Sequence, residues 1–115
     1  MKFPIFFENS QIPVILSYVS PIEIGAISLG IFVFSRGVMS DGTKLHETIH
    51  YKQYLELGFV GFLILYPMFW FMNLASGLSG AEAYFQIPFE IEAYANQHDP
   101  DYIQKRKNFA WLAFI

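Results

Sequence analysis

His46, Glu47 and His50 stand in the order H-E-x-x-H, a spacing with a chemical meaning. Residues four apart share one face of an α-helix, so both imidazoles can reach a single ion, and the carboxylate one residue after the first histidine flanks it. Metal-assisted hydrolysis with Zn2+ requires two neutral nitrogen ligands, a third ligand from elsewhere, an open position for water and a carboxylate base. On this reading His46 and His50 bind the ion and Glu47 takes the proton of the water. The chain holds only three histidines, so accident is a poor explanation for two of them at this spacing around a glutamate.

The third ligand must come from further along the chain, and Glu56, Glu90, Glu92 and His98 are the candidates. Glu56 follows His50 by six residues, about 600° of helical rotation, which turns it away from the pair. No glycine stands at Gln53 to bend the chain back toward the ion, as it does in zincins whose motif extends to H-E-x-x-H-x-x-G-x-x-H. Glu90 and Glu92 lie about 200° apart on a helix, so one ion cannot face both. Glu90 shares its face with Ala93 and Tyr94, and a small residue there lets the helix approach closely. Glu90 is the expected ligand and Glu92 the second choice. Glu92 or Gln53 could instead orient a ligand from behind. His98 falls in a loop and suits a helix C-terminus, interacting with its dipole.

These residues need elements to hold them. A helix is expected from Thr43, capped by Ser40 or Asp41. Ile24 to Phe34 alternates with period two and reads as a strand, with Gly30 a bulge or a close approach. Ile12 to Tyr18 suits a short or edge strand. A small-residue loop at Ser76 to Gly80 precedes a third helix, starting at Ala81 or Pro88 and ending near Gln97. A short terminal helix starts at Asp101.

The 115 residues make one domain, 1–115, with no cysteine, so a disulfide framework and a thiolate metal site are excluded. The net charge of -3 and the absence of a basic face exclude nucleic acid as a partner. Lys105-Arg106-Lys107 reads as a solvated turn or a membrane-surface anchor. Apolar residues make up 54% of the chain and charged ones 15%, too few polar groups to cover a small domain. Membrane association or a large buried interface, such as a homo-oligomer, accounts for that. Leu57 to Ala75 carries no charge and is either membrane-embedded or in-plane, or a buried hairpin in a compact domain or oligomer; Pro67 predicts a kink. Pro4, Glu8 and Pro13 interrupt the apolar N-terminal stretch, so no secretory signal is expected.

The run Pro88-Phe89-Glu90-Ile91-Glu92-Ala93-Tyr94, taken with His46-Glu47-Thr48-Ile49-His50, resembles the gluzincin metallopeptidases, where H-E-x-x-H is completed by a glutamate on a later helix. The chain is also similar to small bacterial and phage H-E-x-x-H proteins with a late F-E-x-E-A-Y segment. The likeness spans roughly Ile24 to Trp111 in order of elements and is specific at the two motifs. It implies Glu90 as the metal-binding glutamate and an oxyanion-stabilising Tyr or His, for which Tyr94, Tyr84 and Tyr54 are available. It departs from such relatives at Ile91, where a basic residue is frequent. In related zincins a strand before the histidine helix lines the cleft, the place taken here by Ile24 to Phe34.

The expectation is therefore an α+β, minimal zincin-like domain: a short antiparallel sheet, three to four helices and one strongly apolar helical segment. Its expected activity is zinc-dependent hydrolysis of peptide bonds in a peptide or protein substrate, at a membrane or, alternatively, in the cytoplasm. The rivals are a non-enzymatic membrane or interaction protein with a structural or vestigial metal site, and metal-dependent hydrolysis of a substrate other than a peptide.

Overall fold

The computed structural model describes residues 4–13, 26–29, 31–35 and 37–115. Three strands, β1 (Ile5–Phe7), β2 (Ala26–Leu29) and β3 (Phe32–Ser35), form one sheet in the order β1-β3-β2. β2 runs antiparallel to β3, with Ala26 opposite Ser35 and Leu29 opposite Phe32. β1 runs parallel to β3, with Ile5 opposite Phe32 and Phe7 opposite Phe34. The sheet is therefore mixed, which overturns the expected antiparallel sheet. A parallel neighbour cannot be joined by a tight hairpin, and Phe7 and Phe32 lie far apart in sequence. Within the stretch 24–34 expected as a single strand, Ala26–Leu29 and Phe32–Ser35 are instead two antiparallel strands, while Ile24, Gly25 and Gly30, the last read as a bulge or close approach, lie outside the described residues. Ile12 and Pro13, expected in a strand, are helical, and the remainder of that stretch to Tyr18 lies outside the described residues.

Five α-helices follow, more than expected: α1 (Asp41–Glu56), α2 (Val60–Ala75), α3 (Gly80–Phe85), α4 (Pro88–Asn96) and α5 (Tyr102–Lys105), then a 3-10 turn at Ala110–Phe114. Ser40 caps α1 by accepting from the Thr43 amide. The Glu8 carboxylate accepts the Met39 amide just before it, tying the end of β1 to the start of α1. Between α1 and α2, Gly58 (φ 67°) and Phe59 (φ 63°) take left-handed backbone, and the two helix axes bend by 112°. Only the first of these positions accepts that conformation without strain. The expected third helix is divided in two. Ser79 and Glu82 form a capping box that starts α3, and Pro88 opens α4 at its first turn, where no amide donor is missed.

Tyr54, Phe62, Ile87, Phe89 and Trp111 form the core between α1, α2, α4 and the 3-10 turn. The Tyr54 and Phe62 rings stack at 3.9 Å between centroids, Phe62 and Phe89 at 4.7 Å, and Trp111 meets Phe89 edge-on at 4.8 Å. Such aromatic contacts contribute roughly 0.5–1.5 kcal/mol each beyond the area they bury. The apolar segment forms α2, which continues through Pro67. One flank, with Phe62, Leu65, Tyr66 and Phe69, packs on the core, while Val60, Leu63, Ile64, Met68, Phe71 and Met72 are exposed. Among the described residues no single helix is long and apolar enough to cross a membrane; α1 and α2 pass that test only together, as a bent pair.

Candidate metal centre

α1 presents His46 and His50 on one face, one turn apart, and α4 crosses it with Glu90 in its first turn. The structure thus brings together the three residues expected to bind a metal. His46 Nε2 lies 3.0 Å from Glu90 Oε1, His50 Nε2 lies 3.1 Å from the same oxygen, and the two Nε2 atoms are 3.2 Å apart. With Zn–N and Zn–O distances of about 2.0–2.2 Å, a tetrahedral ion separates its ligand atoms by roughly 3.3 Å. The triangle is within a few tenths of an ångström of that, so this buried cluster could hold a metal ion. Ala93, fully buried beside Glu90, is the small residue that permits the approach of α4.

Hydrogen bonds fix which nitrogen of each ring faces inward. The Gln53 amide nitrogen donates to Phe89 O and to Glu92 Oε1, both at 3.0 Å, and both of these atoms can only accept. The Gln53 carbonyl must then point the other way, where it accepts from His50 Nδ1 at 2.7 Å. His50 therefore carries hydrogen on Nδ1, which leaves Nε2 to bear the lone pair of the neutral ring. His46 Nδ1 donates in the same manner to Gln97 Oε1 at 2.8 Å. Partners of this kind on the outer nitrogen orient metal-binding histidines and raise their basicity.

Without a cation, three electron-rich atoms converge on one point, and titration responds. Burial pulls the His50 ring toward neutrality, but the Glu90 carboxylate beside it, with the Glu47 charge and the Gln53 hydrogen bond, outweighs that and pushes its pKa up to about 9. For Glu90, burial pulls upward, and the charge on His50 with hydrogen bonds from both histidines holds the carboxyl below its ordinary range. Glu47 behaves differently. Burial raises its pKa, and the positive charge of the imidazoles only partly offsets that. Among the described residues no hydrogen-bond donor engages its carboxylate, so a basic group sits next to the cluster with its lone pairs uncommitted.

The second oxygen of Glu90 accepts from the Tyr66 hydroxyl at 2.6 Å. The Tyr94 ring packs on His46 at 4.4 Å, and its hydroxyl lies 3.1 Å from that of Tyr84. Of the tyrosines available for an oxyanion, Tyr94 and Tyr84 flank the His46 side, while Tyr54 lies in the core.

Glu92, the second choice as ligand, is turned to the opposite side of α4. It is fully buried and receives Gln53, Tyr102 and Arg106, the last through both Nε (2.6 Å) and Nη2 (3.1 Å). Glu56 also points away from the histidines and pairs with Arg106 at 2.8 and 3.0 Å. Arg106 is thus part of the interior, which corrects its reading as a solvated turn or membrane anchor; Lys105 beside it does stay on the surface, paired with Asp99. His98 is exposed and contacts the Gln97 amide, not the cluster. Tyr66, Gln97 and Arg106 escaped the sequence reading. A tyrosine inside an otherwise apolar run was the one local signal, while the roles of Gln97 and Arg106 depend on chain crossings with no local trace.

Comparison with models of known protein families, with curated protein sequences and with solved structures returns no match.

Proposed function

We propose that the chain is a zinc-dependent peptidase with His46, His50 and Glu90 as ligands and Glu47 as general base. The observation that carries this is the pairing of three converging lone-pair atoms with an uncommitted, buried carboxylate beside them. Three protein ligands leave a fourth tetrahedral position open, as catalytic zinc sites do. A bound divalent ion would supply Lewis acidity, polarising a carbonyl and acidifying water. Glu47 would accept the proton of the water as its oxygen adds to the carbonyl carbon, then pass that proton to the amine as the carbon–nitrogen bond breaks. Its raised pKa suits both halves of that exchange. Gln53 and Gln97 keep the imidazoles aimed, and Tyr66 holds the non-ligating oxygen of Glu90.

The resemblance to gluzincins in the two motifs supports a peptide bond as the substrate. The exposed apolar flank of α2 supports work at a membrane surface, which flotation with phospholipid vesicles would test. A second reading, a purely structural metal site, draws on the burial of all three ligand side chains.

Metal content decides the site: zinc is expected in the wild type and lost in His46→Ala, and equal zinc in both removes it. Iron bound in place of zinc would keep the site and point to a different chemistry, since the same ligand set serves both ions. Glu47→Gln should retain metal and lose hydrolysis of a peptide library. Hydrolysis retained in that variant removes Glu47 as base, and a zinc-loaded wild type without hydrolysis favours the structural reading.

A further inference from the structure

Behind the candidate ligands lies an ionic cluster that the proposed hydrolysis does not use. Arg106 places its guanidinium between Glu56 of α1 and Glu92 of α4, and the three side chains are nearly removed from solvent. Both edges of the fork are engaged, Nη1 and Nη2 on Glu56, Nε and Nη2 on Glu92. Desolvating such groups costs several kcal/mol each, and well-packed apolar residues of similar volume often stabilise a fold as well or better. Stability alone is therefore a weak reason for the cluster. Its connection to the neighbouring site offers a stronger one.

We infer that Arg106 is a positioning residue for the metal centre: it holds Glu92, Glu92 holds Gln53, and Gln53 holds His50 with its Nε2 atom facing His46 and Glu90. This rests on reading the cluster as a metal site. Each link is a hydrogen bond with one possible sense. Glu92 can only accept, and Arg106 together with Tyr102 fills three of its four acceptor positions, leaving Oε1 one further position for the Gln53 amide nitrogen. That contact, with the one to Phe89 O, stops the Gln53 amide from flipping. In the neutral ring, the form that binds a metal, a flipped amide would turn its nitrogen toward His50 Nδ1 and move the one hydrogen to Nε2, the atom that must face the metal. Arg106 suits the task where lysine does not, because a planar fork fixes both carboxylate oxygens at once and a single ammonium does not. The relay thus joins the segment after α5 to a ligand on α1, through four side chains.

The test pairs zinc affinity, measured by competition with a chromophoric chelator, with nitrogen-15 NMR of the histidine rings. It uses wild type, Arg106→Lys, Gln53→Leu and the double variant. Arg106→Lys should weaken zinc binding by about tenfold to a hundredfold, the range for partners standing behind a ligand. Gln53→Leu should weaken it as much, and the double variant little more than Gln53→Leu alone, because Arg106 acts through Gln53. The Nδ1 proton of His50 should exchange slowly in wild type and fast in Arg106→Lys, with or without zinc. Unchanged zinc affinity in Arg106→Lys, or losses that add in the double variant, overturns the relay. A wild type that binds no zinc, while Arg106→Lys still frees the Nδ1 proton, removes the metal reading and leaves the relay standing. Should Arg106→Lys fail to fold, Tyr102→Phe withdraws one donor from Glu92 without stranding a charge. A several-fold loss of zinc affinity is then expected, and no change overturns the inference.

Discussion

The Nε2 atoms of His46 and His50 lie 3.2 Å apart, each with its other ring nitrogen bonded to a glutamine carbonyl. Two lone pairs held this close, beside a carboxylate, repel unless a proton or a metal sits between them.

Zinc binding should therefore depend on pH. In the metal-free protein the His50 pKa is pushed up to about 9, against 6.5 in an unfolded chain. Below about pH 9 zinc must displace that proton, so its affinity should rise by up to about tenfold per pH unit and level off above. Calorimetry in buffers of different ionisation enthalpy measures the proton released, and no release near neutral pH would contradict the geometry.

Stability of the metal-free protein should follow the same pair. The folded-state pKa of His50 is raised, so its contribution is complete below pH 6.5 and is lost as pH rises through about 9. Glu90 is lowered from 4.5, so its contribution is present above that value and is lost as pH falls below it. Denaturant titrations should find the two contributions jointly complete between about pH 4.5 and 6.5; in His50→Ala the first should vanish and the second should shrink, because His46 and Tyr66 still hold Glu90.

Glu47→Gln should stabilise the fold. A buried carboxylate with a raised pKa and no donor among the described residues lowers stability at neutral pH, and an amide removes the charge. A gain is expected in the metal-free protein because the amide, though still buried, carries no desolvated charge. Chemical denaturation at pH 7 measures it, and a loss of stability would mean that the carboxylate has a partner it needs.

Tyr66→Phe removes the hydroxyl that bonds Glu90. A hydrogen bond to a charged group contributes about 1.5–3 kcal/mol, and that much destabilisation is expected in thermal or denaturant melts. An unchanged midpoint would show that water replaces the hydroxyl at no cost.

The donor triangle was legible because helical geometry is local. Spacing four aligns His46 with His50, and spacing two sends Glu90 and Glu92 to opposite sides, so at most one of those two glutamates could be the partner. The same rule correctly set Glu56 aside. Arg106 was not legible: between two lysines it has the composition of a surface turn, and only the approach of α1 to α4 buries it. Gln97 and Tyr66 act across the same kind of contact. The sheet was half legible. Alternation marked Ile24 to Phe34 as extended, but period two does not record where a strand turns back. The parallel partner, Ile5–Phe7, is three residues long and too short for a pattern of its own.

Glu90 divides its oxygens, Oε1 toward the imidazoles and Oε2 toward Tyr66. It can thus give an incoming cation one oxygen, not a chelating pair. Calcium seeks six to eight oxygen neighbours, and magnesium an octahedral shell of them, so both find this place poorly furnished. Discrimination against the abundant alkaline-earth ions is thereby written into a phenol on an otherwise greasy helix.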